Sequence, residues 1–112
     1  MADDNPTTEQ VNGIDNLSVM LRKAVIANGE EVKELKFREP TAADIERAGI
    51  PIIIDPGVVD DQGLPRFRFD TKVMTQMMAL LAAVPPSTIR QMHPNDWNNA
   101  AWVLVRFFMP GL

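Results

Sequence analysis

The sequence contains no cysteine, one histidine and no apolar run of membrane-spanning length. Without cysteine there can be no disulfide, no thiolate nucleophile and no cysteine-based zinc site. The apolar run that ends at Val84 falls far short of the roughly 20 residues needed to cross a bilayer. The opening residues, MADDNPTTEQ, are polar and acidic, unlike a secretory signal. Positive charge is also scarce: eleven basic residues stand against fifteen acidic ones, for a net charge of −4. The compact basic cluster Arg22-Lys23 is too small to reverse that balance, so binding to nucleic acid or an anionic membrane is not expected. Together these absences point to a soluble chain of the reducing cytosol.

What is present fits one small domain. A chain of 112 residues buries only about 60–70% of the surface its unfolded form exposes, so stabilisation by a partner or by self-association would be useful. Residues 1–16 are rich in Asp, Asn, Thr and Gln with few apolar anchors. They read as a flexible acidic arm, either a docking tail or an ordinary free terminus. Residues 17–112 read as the single domain.

Two extended stretches, Leu17 to Ile26 and Glu31 to Arg38, flank Ala27-Asn28-Gly29-Glu30. Asn-Gly is a strong hairpin signal because both turn positions require positive φ. Leu21, Lys23 and Val25 alternate imperfectly with their surroundings, which leaves the register open. In LKFREPTAADIERAG, Leu35 and Phe37 alternate with Lys36 and Arg38, Pro40 breaks the strand, and Thr41 to Asp44 has the form of a capping box. Gly49 then supplies a helix stop. Prolines and glycines punctuate Ile50 to Asp70, leaving a long loop in which Ile52–Ile54 reads either as a brief buried strand or as extended chain on the core, and Arg66–Phe69 has the alternation of a short strand.

TKVMTQMMALLAAV predicts a helix over Thr71–Val84, capped by Asp70 or Thr71 and ended by Pro85-Pro86. Ser87–Met92 suggests a helical turn. Pro94 and Asp96 suit the first turn of a last helix that runs to about Phe108. The expected fold is α+β: an N-terminal β-hairpin followed by a small bundle of three or four helices.

No constellation for catalysis emerges. His93 precedes Pro94 as a cap and has no ligand-spaced neighbours. Ser18 and Ser87 lack a nucleophile turn. Asp60-Asp61 lacks the alternating oxygens of an EF-hand, and no glycine-rich phosphate loop is present. The expectation is a non-enzyme with no cofactor and no metal.

The apolar helices are more informative. Met74, Met77 and Met78 share one helix, and thioether side chains suit both irregular cores and adaptable surfaces. Two wide apolar helices in so small a domain imply more apolar surface than one core hides, which marks an interface. Met74, Met78, Leu81, Trp97, Trp102 and Phe107 are the expected partner-binding residues, with Trp102 and Phe107 as exposed anchors. On this reading Trp102→Ala or Met78→Asp weakens binding more than folding.

The order of these signals resembles the tail assembly chaperone family of contractile-tailed bacteriophages, the group that includes Mu-like and related proteins. The resemblance covers about Val19 to Phe108. It rests on Arg38-Glu39-Pro40-Thr41 with Asp44, on Pro85-Pro86-Ser87 after an apolar helix, and on the final Pro/Asp-started helix ending VRFF. Ile50 to Phe69 departs from the pattern by being longer and richer in proline.

The resemblance implies a factor of virion morphogenesis that binds the tape measure protein and keeps it soluble until tail tube subunits polymerise around it. It also implies contact with the tail tube protein as a second partner, residence in the bacterial cytoplasm and absence from the mature virion. In many such phages a ribosomal frameshift adds a C-terminal extension, and this chain would be the short product. The rival reading is a small structural tail or baseplate protein retained in the particle.

Overall fold

A computed structural model describes residues 17–63 and 65–109. The acidic arm at 1–16 therefore lies outside the described residues. Strands β1 (Leu17–Ala27) and β2 (Glu30–Phe37) form an N-terminal antiparallel pair. Asn28 and Gly29 join them with φ of 53° and 83°, the two positive values that a tight two-residue turn demands. Leu17 faces Phe37 and Val19 faces Leu35, while beyond the middle Val25 faces Val32.

Between Met20 and Val25 the register shifts, and this bulge explains the broken alternation in the sequence. Leu17, Val19, Val25 and Ala27 keep one inward phase along β1, whereas the buried phase on β2 changes between Val32 and Leu35.

The bulge frees backbone donors, and a distant helix satisfies them. Arg22 and Lys23 N–H donate to Asp96 Oδ2 at 2.9 and 3.3 Å. Asp96 is 1% exposed, so these bonds satisfy a carboxylate that would be costly to bury unpaired. Farther along β1, Ile26 N–H donates to Gln91 Oε1 at 2.8 Å and Ile26 C=O accepts from Thr88 Oγ1 at 2.7 Å. Side chains from the C-terminal half thus occupy stretches of β1 backbone that another strand would otherwise need.

Helix α1 (Ala42–Ala48) begins at Thr41 with a capping box and stops at Gly49. Gly49 has φ 98°, and its N–H closes on Ile45 C=O at 2.7 Å. Helix α2 (Thr71–Ala82) starts from Asp70, whose side chain accepts from Val73 N–H, and ends at left-handed Ala83. Its last helical residue, Ala82, is two residues before the Val84 limit expected from sequence. A short α3 (Pro86–Ile89) follows, then α4 (Pro94–Val105). His93 caps α4 through Nδ1, which accepts from Asn95 N–H at 3.1 Å. The regular helix closes at Val105, and 106–108 continue as turns.

The expected loop between α1 and α2 contains a second antiparallel pair, β3 (Ile52–Val59) with β4 (Pro65–Phe69). Ile52 faces Phe69 and Ile54 faces Phe67, with a register shift before Val59. Pro56 and positive-φ Gly57 sit inside that shift. Proline and glycine inside a strand weaken its alternation signal, so the pair was only partly visible in the sequence.

The main core lies between the inner face of β1–β2 and helices α2, α3 and α4. Leu35, Phe37, Met74, Met77, Met78 and Leu104 are among its buried members. Among the described residues the architecture is mixed α and β, with an N-terminal strand pair, four helices and a second strand pair inserted ahead of α2.

Candidate functional site

Helix α4 has two tryptophans with different environments. Ala100, Ala101, Leu104 and Val105 are buried, leaving Trp97 and Trp102 to flank the buried stripe. Trp97 is half-buried, and its indole Nε1–H donates to Thr75 Oγ1 on α2 at 3.1 Å. Trp102 remains 55% exposed.

Strand β4 brings two further rings to this helix. The period-2 geometry puts Phe67 and Phe69 on one face, and both rings meet Trp102 edge-on, with centroids 5.9 and 5.3 Å away. Phe69 also meets Trp97 edge-on at 6.1 Å. The edge-to-face arrangement is favourable for aromatic quadrupoles. Across the strand pair from Phe67 stands Ile54, itself exposed. Ile54, Phe67, Phe69 and Trp102 form an apolar ridge on the protein surface.

Trp97 also lines an open groove of about 670 Å³ between α2 and the α3–α4 segment. Thr75, Gln76, Ile89 and Met92 contribute to its wall, and Lys72 and Arg90 supply two cations. Ridge and groove are therefore linked through the Phe69–Trp97 contact.

The expected partner-binding residues fall into two groups. Met74 and Met78 are 0% exposed and Leu81 is 3% exposed. In this fold they fill the space between the strand pair and the helices and have no surface to offer. Met78→Asp would place an unpaired charge in that core, so its first effect is on folding rather than on binding. Trp97 and Trp102 lie in the groove and on the ridge, respectively. Phe107 is half-buried and packs against the core cluster, so Trp102 is the more exposed of the two expected anchors. Sequence reasoning did not select Phe67, Phe69 or Ile54 for a surface role. The alternation of Phe67 and Phe69 with Arg66 and Arg68 was the available signal.

The REPTAAD stretch has a structural role. Arg38 forks onto Asp44, with Nη1 to Oδ2 at 2.7 Å and Nη2 to Oδ1 at 2.8 Å. The same carboxylate accepts from Thr41 N–H at 2.8 Å and from its hydroxyl at 3.1 Å. The Arg38 hydrogen bond first, then that from Thr41, holds the Asp44 carboxyl well below its ordinary range against the opposing effect of burial. Arg38 N–H also donates to Leu81 C=O at 3.0 Å. The junction thus anchors the end of β2 to both α1 and α2.

Among the described residues, no group of three or more His, Asp or Glu side chains is placed to hold a metal ion. No described helix is long and apolar enough to cross a membrane. Neither a curated protein nor a solved structure matches the chain. One family does, described as phage tail assembly chaperone proteins, E, or 41 or 14, and it matches residues 18–109. That span runs from β1 through the turns after α4 and includes the strand-pair junction, the core helices and the aromatic ridge. The chain belongs to the phage tail assembly chaperone family.

Proposed function

We propose that this chain is the chaperone of a tape measure protein in a contractile-tailed phage, acting in the bacterial cytoplasm by binding rather than by catalysis. The observation that carries this reading is the ridge of Ile54, Phe67, Phe69 and Trp102, in which a large aromatic side chain is 55% exposed on a family member. A long client helix that awaits its tube has an apolar stripe that aggregates in water. Such a stripe laid along the ridge would be shielded by rings that pack in several orientations. Trp102 is the anchor of this surface, because large aromatics dominate interface energetics. Met74, Met78 and Leu81 belong to the core rather than to this surface, and contact with the tail tube protein is a later step in the same process.

The test is co-expression with the adjacent tape measure gene. A soluble client that co-purifies with this chain supports the proposal, and an insoluble client overturns it. Mass spectrometry of finished particles separates it from the structural reading: abundant copies of this chain in mature tails would make it a tail or baseplate component instead.

A further inference from the structure

The charge of this chain is unevenly placed. All eleven lysines and arginines lie between Arg22 and Arg106. Residues 1–16 hold Asp3, Asp4, Glu9 and Asp15 and no base, so the other eleven acids balance the eleven bases. The whole net charge of −4 is carried by the first 16 residues.

The C-terminal half is biased the other way. From Pro65 to Met109 there are five cations, Arg66, Arg68, Lys72, Arg90 and Arg106, and two acids. Both acids are engaged: Asp70 accepts from Val73 N–H, and buried Asp96 accepts from Arg22 and Lys23 N–H. Among the described residues, Lys72 and Arg90 have no ion-pair partner. Both line the groove beside Trp97.

We propose that this groove is the docking site of the chain's own N-terminal segment, residues 1–16. Its acids complement Lys72 and Arg90, and Val11 supplies an apolar side chain for a wall that includes Ile89, Met92 and Trp97. The reach is sufficient. Leu17, the first described residue, lies with Leu81 and Ala82 around a smaller hollow at the far end of α2. At about 1.5 Å per helical residue, Lys72 is roughly 15 Å along the axis from Ala82. Six extended residues cover about 20 Å, which brings Val11 and Glu9 to the groove. The segment then lies in the groove that Trp97 lines and Trp102 does not. This assignment does not depend on the identity of any client.

The absence of cysteine makes the test direct. A nitroxide attached through Thr8→Cys in the full chain will broaden nearby NMR signals. Docking predicts loss of most of the Trp97 indole N–H signal and of the Gln76 amide signal, with weaker broadening at Trp102. The broadening should persist when the labelled chain is diluted with excess unlabelled chain. It should vanish in Lys72→Glu/Arg90→Glu, or in 1 M salt, where the Debye length is about 3 Å. Equal broadening at Trp97 and Trp102, or none at either, overturns the proposal. So does broadening lost on dilution, which would assign the segment to a neighbouring copy. Circular dichroism of the double variant, with an unchanged spectrum and melting point, shows that any loss of broadening is not due to unfolding.

Discussion

Replacing Asp44 with alanine removes one side chain that does three jobs. Its carboxylate receives both arms of the Arg38 fork, the Thr41 N–H and the Thr41 hydroxyl. Loss of the helix cap costs about 1 kcal/mol. The Arg38 side chain is 50% exposed, so solvent screens the ion pair and its share is reduced to about 0.5–1 kcal/mol. The sum is about 2 kcal/mol, or roughly 8–16 °C in melting temperature for a domain of this size. Thermal melts followed by circular dichroism at neutral pH measure it. The pH dependence supplies a second check. Because the folded state holds the Asp44 carboxyl below its ordinary pKa of 3.8, its charge stabilises the fold fully above about pH 5. That contribution falls as the pH drops through 3.8 toward the folded-state value. The gap between the parent chain and Asp44→Ala should therefore be widest near neutrality and narrow in acid. A gap below about 2 °C at pH 7, or one that widens in acid, would refute the reasoning.

Other substitutions separate core from surface. Met78→Ala removes a fully buried side chain and should cost about 2–5 kcal/mol in denaturant unfolding. Trp102→Ala loses two edge-on ring contacts, about 1–2 kcal/mol, and should leave a cooperative melt while abolishing client solubilisation in co-expression. Asp96→Ala leaves the Arg22 and Lys23 amides without their acceptor, so hydrogen exchange at those two residues should accelerate well before global unfolding. Gly49→Ala places a Cβ 3.5 Å from Val73 Cγ1, an ordinary contact. Its cost should be about 1–3 kcal/mol from the positive φ alone, seen as a lower melting temperature.

Local signals in the sequence carried much of the fold. Asn28-Gly29, the Thr41–Asp44 box, the Gly49 stop and Pro94 each act within a few residues, and each operates where the sequence placed it. What was hidden acts at long range. Asp96 looked like a first-turn acid suited to the helix dipole, and nothing near it shows that it serves backbone donors 74 residues away. Gln91 and Thr88 closing on Ile26 are equally silent in sequence. The second strand pair was obscured because Pro56 and Gly57 interrupt its alternation. For the candidate site, helical periodicity shows that α2 has an apolar face and cannot say how completely that face is covered. β1–β2 and α4 cover it, which moves Met74, Met78 and Leu81 into the core. Trp102 was legible as an anchor because it falls outside the stripe of Ala101, Leu104 and Val105, whereas the ridge it shares with Phe67 and Phe69 required the tertiary fold.

On the proposed function the client helix lies against Trp102. The most direct measurement is the fluorescence of Trp102, isolated in a Trp97→Phe background, during titration with a soluble helical segment of the tape measure protein. Burial of the half-exposed indole under the client should shift its emission to the blue, saturably and with the same midpoint as complex formation by sedimentation. A complex that forms while the Trp102 emission stays unchanged would place the client elsewhere and overturn the proposed role of Trp102.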